Sequence, residues 1–293
     1  MAIVFLLNPA SGAHRRSPLD LAGLIKRVLP LGTQVHLRHT EYAGHATALA
    51  REAAAQGADV VVAVGGDGTV NEVAAGLLGT PAALGIVARG SGNGLARHLR
   101  VPLEPGAALR HLVKGYRTTI DAGRINGRPF FCTAGIGFDG HISREFAKSH
   151  ARGLLTYTKL LFSEFGAYRP TSGTLFYDEA NGLAPHELRE LFVLTFANAA
   201  QYGNNAYIAP MADIQDGTLD ACVLRHPTFW GAMGIAAGMM TRSLPRLGAT
   251  YFRTTRARVA LHSPLPFHAD GEYVGAASDF EVEVVPGALR VVA

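Results

Sequence analysis

The sequence predicts an α/β fold in two domains: a parallel sheet covered by helices, then a larger β-rich domain. Three observations predict it. At 293 residues the chain exceeds one average domain and falls short of three. Up to about Thr119, short apolar strands alternate with helices, the pattern of a parallel sheet buried on both faces. Beyond that point β-branched and aromatic runs follow one another, separated by glycine, proline and asparagine turns, which suits an antiparallel sheet.

Taken in order, residues 3–7, 34–39, 59–64 and 83–87 read as strands. Residues 19–29, 46–56 (rich in alanine) and 70–78 read as helices, and another helix begins at 95–99. In the second half, 130–133, 173–177, 191–196, 218–224, 256–261 and 280–284 read as strands. One helix interrupts them at 153–165, with Leu154, Leu155, Leu161, Phe162 and Phe165 apolar, and a second spans about 228–240. The first domain is placed at 1–121 with the tail 285–293 returning to it, and the second at 122–284. No low-complexity segment or internal repeat is present.

With 48% hydrophobic and 17% charged residues, the chain buries a sizeable core and is not a disordered protein. A formal charge of +4 suits anionic partners, but the basic residues are scattered, so no nucleic acid is expected as a partner. Cys132 and Cys222 lie in apolar stretches and read as buried thiols of a reduced protein. The apolar start, residues 2–7, stops at Asn8-Pro9, too short for a signal peptide, and 229–240 is shorter than a membrane span. A soluble, cytoplasmic protein is expected.

Three strands of the first domain run into turns of one character: Asn8-Pro9-Ala10-Ser11-Gly12, Gly65-Gly66-Asp67-Gly68-Thr69, and Gly90-Ser91-Gly92-Asn93-Gly94. Glycine lets the backbone turn sharply and approach a ligand. Thr69 and Glu72 have capping-box spacing, which places a helix start there and turns its amides toward a phosphate. Asp67 cannot attract phosphate; a carboxylate there suits orientation of Mg²⁺ through water or action on a reacting hydroxyl. Neither the Walker pattern nor a strand-anchored GxGxxG occurs, which disfavours P-loop enzymes and dinucleotide dehydrogenases. In the second domain, Asp270-Gly271-Glu272 offers two carboxylates that a strand would point to one side. On spacing alone it also reads as an Asp-Gly hairpin turn with a solvated glutamate, and Asp213 and Asp216 read as a solvated turn.

These motifs together resemble the diacylglycerol kinase catalytic-domain superfamily, which includes bacterial lipid kinases, sphingosine kinases and ceramide kinases. The ordered series also includes Val70-Asn71-Glu72, Leu95-Ala96-Arg97, Ala134-Gly135-Ile136-Gly137-Phe138-Asp139, Ala209-Pro210, and Asp216-Gly217-Thr218-Leu219-Asp220. The resemblance implies a three-layer α/β nucleotide domain similar to NAD kinases and phosphofructokinases, a β-sandwich domain that takes a lipid, and a site in the cleft between them. It implies transfer of the ATP γ-phosphate to a lipid alcohol such as diacylglycerol or a sphingoid base, with peripheral membrane contact. It assigns ATP contacts to Asn8, Pro9, Ala10, Ser11, Gly12, Thr40, Gly65, Gly66, Asp67, Gly68, Thr69, Val70, Asn71, Glu72, Gly90, Ser91 and Asn93. The base would be Glu272 or Asp270, with Asp67 as a further catalytic group. A structural Mg²⁺ would lie at Asp213, Asp216 and Thr218, and Asp139 would be a polar residue of the site.

The chain departs from most bacterial members at Ala88, Ser91 and Gly94, where they carry proline, threonine and aspartate. Without the aspartate at Gly94, Asp67 must do more, or the metal network differs. His141 and His268 lie near motifs and read either as residues of the cleft or, in preference, as satisfied surface histidines. Helix 153–165 either lines an acyl site or packs on the sheet. The alternatives are a kinase of a soluble acceptor, as in NAD kinases, and a nucleotide-binding regulator without catalysis. The sequence is silent on oligomeric state, a homodimer included.

Overall fold

The computed structural model describes residues 1–11, 20–149, 154–179 and 182–293. These divide into two compact units, 1–120 with 287–293, and 121–286.

In the first unit, β1 (Ala2–Leu7), β2 (Gln34–His39), β3 (Val60–Gly65) and β4 (Ala83–Ala88) form a parallel sheet in the order β4-β3-β1-β2. Near the C-terminus, Val291 extends this sheet beside Leu84. Every residue of β3 and β4 is buried, which requires cover on both faces. The cover comes from α1 (Leu21–Val28), α2 (His45–Ala55), α3 (Asp67–Leu77), α4 (Gly94–His98) and α5 (Pro105–Lys114). The alanines of α2 let it lie close on α3: a Cβ at Gly76 would strike the Thr47 carbonyl and Ala50. α5 was not foreseen, although its start is signalled locally. Glu104 accepts the amides of Gly106 and Ala107, and Pro105 stands at the first helical position.

The second unit is built on antiparallel strands. β5 (Arg117–Ile125) pairs with the short β6 (Arg128–Phe130). β7 (Thr133–Gly137), β9 (Gly182–Ala197), β10 (Leu219–Arg225), β11 (Thr250–Thr254), β12 (Arg256–Ala269) and β13 (Glu272–Val292) are hydrogen-bonded in the order β11-β10-β9-β7-β12-β13. β8 (Thr171–Glu179) pairs with both β9 and β12. Ile136, Leu175, Phe196, Leu219, Val259 and Phe280 form the centre of the core between these strands.

A separate apolar cluster lies where α6 (Phe138–Lys148), α7 (Leu154–Phe165) and α8 (Phe229–Thr241) pack on the strands. It gathers Phe138, Ile142, Tyr168, Phe192, Cys222 and Leu244, with Leu161 and Phe165 of α7 against it. α7 therefore packs on the sheet through the side chains described; Leu154 and Leu155 lie outside them, as does Gly153.

β12 and β13 run far beyond the strands expected at 256–261 and 280–284, because the alternation continues through Phe267 and Ala269. β5, β11 and α6 lie outside the expected elements, and the strand expected at 130–133 falls on the break between β6 and β7. Gly137, at φ 107°, breaks β7 and turns the chain directly into α6. Cys132 and Cys222 are buried thiols, and burial pushes Cys222 up to about 12. Among the described residues, no helix is long and apolar enough to cross a membrane.

Candidate functional site

In the first unit the three strand-end turns are wired to one another. The Asn8 amide follows β3, donating to the Val64 carbonyl, and its side chain donates to Thr69 Oγ1 at 3.0 Å. Its Oδ1 takes the Ala10 amide at 2.9 Å, and Ser11 closes on the Asn8 carbonyl. Thr40 is set beside this turn by its amide, which donates to the Leu7 carbonyl. Gly12 lies outside the described residues.

The second and third turns touch through bare backbone. A Cβ at Gly90 would lie 2.9 Å from the Gly66 Cα, and one at Gly65 would strike Thr69. Asp67 then clamps the third turn, accepting the Asn93 amide at 2.8 Å and the Gly94 amide at 2.7 Å. Asn93, left-handed at φ 53° and buried, closes the turn on itself by bonding both the amide and the carbonyl of Gly90. Ser91 stands exposed at its tip. Arg97 reaches back to the Gly92 carbonyl at 2.9 Å.

Two readings from spacing are corrected here. The helix begins at Asp67 with Gly66 as its N-cap, so Thr69 lies inside the first turn and no capping box forms. Glu72 instead caps the neighbouring α2, accepting the Gly44 and Ala46 amides at 2.8 and 3.0 Å. The reason is that α2 starts at a left-handed glycine with no side chain to cap it. Val70 is buried toward the core, while Gly66, Gly68 and Asn71 are partly exposed.

In the second unit, Asp270 and Gly271 form the two-residue turn between β12 and β13, with φ 49° and 80°. Asp270 is therefore not a strand residue, and the two carboxylates do not share one side. That of Asp270 accepts the amides of Phe131, Cys132 and Thr133 at 2.7, 2.7 and 2.9 Å. Burial pushes it up to about 6, against the pull of those three amides. Glu272 is exposed, and its carboxylate lies 3.4 Å from Arg128.

His268 is a buried residue of this region rather than a surface one. Gly271 donates its amide to Nδ1, which leaves the ring proton on Nε2, 3.3 Å from Asp139 Oδ2. The same oxygen accepts the hydroxyls of Thr195 and Tyr202, and Asp139 Oδ1 takes the Gly140 amide. A Cβ at Gly135 would run into both Asp139 and His268, so this network requires glycine there. His141 lies apart from it, bonded to Glu164 and Arg144.

The turn assigned to a structural Mg²⁺ has other partners. Thr218 donates its amide and hydroxyl to Asp216 Oδ1, Arg253 faces Asp216 Oδ2 at 3.5 Å, and Asp213 accepts the Gln215 amide. Asp121 takes the Gly217 amide from beneath. A guanidinium already serves as counter-ion, and among the described residues no three His, Cys, Asp or Glu side chains cluster as a metal centre. Both oxygens of Asp216 are thus engaged, one by Thr218 and one by Arg253.

Residues 2–125 match the model of the diacylglycerol kinase catalytic domain, and 132–293 match that of the YegS C-terminal NAD kinase beta sandwich-like domain. The chain belongs to the diacylglycerol kinase catalytic-domain family. It is 31% identical over 277 residues to a protein of Chromohalobacter salexigens described as "Probable lipid kinase YegS-like", covering 92% of this chain and 87% of that one. It is 31% identical over 309 residues to a diacylglycerol kinase of Mycobacterium tuberculosis, covering 99% and 94%. In fold it is similar to a crystal structure of a diacylglycerol kinase from Bacillus anthracis, with TM-score 0.74, 20% identity, and 99% and 96% of the two chains covered.

Within this family framework, His268 and Asn93 are the residues that sequence reasoning under-read. Asn93 was assigned to nucleotide contact, whereas its side chain is engaged in its own turn. His268 had one usable signal: it sits two residues before an Asp-Gly turn, within reach of the turn's amide.

Proposed function

We propose that the chain transfers the γ-phosphate of MgATP to a hydroxyl of a lipid alcohol, diacylglycerol or a sphingoid base being the first candidates. The observation that carries this reading is the backbone contact of Gly66 and Gly90, clamped by Asp67. It presents two glycine turns together, and α3 starts there with no side chain capping it. The first-turn amides of α3 and its positive end then suit a polyphosphate.

Nucleotide contacts fall to the Asn8–Ser11 turn, Thr40, Gly65, Gly66, Gly68, Thr69, Asn71, Gly90 and Ser91, while Val70 is turned into the core with its amide on the Gly66 carbonyl. Asp67, Glu72 and Asn93 act by holding backbone in place, since their side chains are engaged with amides. Mg²⁺ arrives with ATP as part of the substrate and supplies charge neutralisation at the phosphates.

Glu272 is the base. Its exposed carboxylate takes the proton of the acceptor hydroxyl as the oxygen attacks the γ-phosphorus and the bond to the β-phosphate oxygen breaks, releasing ADP. Asp270 fixes the hairpin from which Glu272 projects, and the His268–Asp139 pair fixes its other side. The names of the relatives support a lipid acceptor.

The test is incubation of the purified chain with MgATP and a panel of lipid alcohols, read by mass spectrometry. A phosphorylated lipid together with ADP is expected. ATP binding with no phosphorylated lipid from any acceptor would overturn the lipid reading.

A further inference from the structure

α8 is apolar all round. It carries no charged residue from Phe229 to Thr241. A helix of that composition is ordinarily buried, while one at a surface carries charges on its outer face. Among the described residues, Ile235, Gly238 and Met239 lie on the cluster beneath, and Phe229 meets the Phe165 ring edge-on. The other side is exposed at 229, 230, 233, 236, 237, 240 and 241, an uninterrupted helical stripe. Its residues are Phe, Trp, Met, Ala, Ala, Met and Thr, and Trp230 is 80% exposed. Leu247, in the 3₁₀ turn Leu244–Leu247 that packs against α8, is exposed as well.

The segment that carries this stripe has charge of one sign. Residues 221–269 contain six arginines, no lysine and no acidic residue. Arg253, Arg256 and Arg258 pair with Asp216, Asp178 and Asp279. The other three stand at the ends of the helix: Arg225, which also acts on Glu187, precedes it, and Arg242 and Arg246 follow it. Arg242 is held at its post, its guanidinium 4.0 Å over the Tyr207 ring and bonded to the Tyr207 hydroxyl.

We infer that the outer face of α8, with its arginine ends, is a docking surface for an anionic lipid bilayer. An exposed apolar stripe with aromatic residues at one end suits the acyl boundary, and the arginines suit acidic headgroups. A two-fold contact with a second copy would instead bring the Arg242 and Arg246 end of the helix against like charge. The inference deepens the lipid-kinase reading but does not need its chemistry, because no residue of this face is assigned to transfer.

Trp230 is the only tryptophan in the chain, so fluorescence excited selectively at tryptophan reports on this face alone. The full chain is mixed with vesicles of phosphatidylcholine, or of phosphatidylcholine with phosphatidylglycerol, neither containing a lipid alcohol. A blue shift and co-sedimentation are expected with the anionic vesicles, weakened by salt. Phe229→Ser should reduce vesicle affinity about tenfold, the loss of one buried aromatic side chain. Arg242→Gln and Arg246→Gln should each reduce it about fivefold. All three should leave phosphorylation of a short-chain, soluble lipid alcohol unchanged, which separates failure of this inference from failure of the kinase reading. No spectral shift with anionic vesicles overturns it. So does a shift that appears with protein concentration alone, accompanied by a dimer in sedimentation, which would assign the face to a second copy.

Discussion

Asp67 and Asp270 do the same job in different units, and the contrast explains what a sequence can reveal. Each carboxylate takes backbone amides of another segment. Asp67 reaches 26 and 27 residues along the chain, to the next glycine turn of a regular parallel sheet. Asp270 reaches back 137 to 139 residues, to the entry of β7, across an antiparallel arrangement with no fixed repeat. The first is a local device repeated at strand ends. The second exists only once the whole unit has folded. In both, a carboxylate of the proposed site is a holder of backbone.

The comparison breaks most sharply at Asp67. Asp67→Ala leaves the Asn93 and Gly94 amides without acceptors, and roughly 2–4 kcal/mol of stability should be lost in urea unfolding. ATP affinity should fall with it; unchanged stability would mean the clamp is not needed. Gly90→Ala comes next. Its Cβ meets the Gly66 Cα and Asn93 Oδ1 at 2.9 Å, so the turns must part, at about 1–3 kcal/mol. Weaker ATP binding by calorimetry is the expected signature.

Asp270→Asn should cost about 1 kcal/mol near neutral pH, since one of three amides loses its acceptor. The sign of its pH dependence follows from burial. With Asp270 raised to about 6 in the folded chain, from an ordinary value of 3.8, the folded state binds that proton first. The contribution is fully present below about 4 and lost as pH rises through about 6. The gap between native and variant should therefore widen as pH falls through that window. A gap that narrows would mean the three amides outweigh burial. The smallest effect is expected at Glu72→Gln, about 0.5–1 kcal/mol from a weakened cap on α2. ATP affinity should stay as it was; a marked loss would return Glu72 to direct nucleotide contact.

The parallel sheet and the three turns were legible because buried strands leave continuous apolar runs, and close backbone approach leaves glycines. The partners of the turns were not. Thr69 and Glu72 have the spacing of a capping box, yet the helix starts earlier and Glu72 caps α2 instead. Nothing in the local sequence says that Gly44 leaves α2 uncapped in space beside Glu72. In the second unit the Asp-Gly hairpin was one of two readings of the motif, and its φ values choose between them. The His268–Asp139 pair was invisible, since the two residues stand 129 positions apart (268 − 139) and meet only through the pairing of β12 with β7. Long strands were cut short in prediction because turn-like residues such as Pro264, Pro266 and Gly275 lie inside them.

The account rests on Glu272 as the reacting carboxylate and Asp270 as its support. Turnover of MgATP with diacylglycerol, measured in Glu272→Gln beside Asp270→Asn and the native chain, tests that division most directly. Glu272→Gln should lower kcat by about 10²–10⁴ with stability and ATP affinity unchanged, while Asp270→Asn should shift stability with a smaller loss of kcat. Full turnover in Glu272→Gln, with activity abolished in a folded Asp270→Asn, would contradict it.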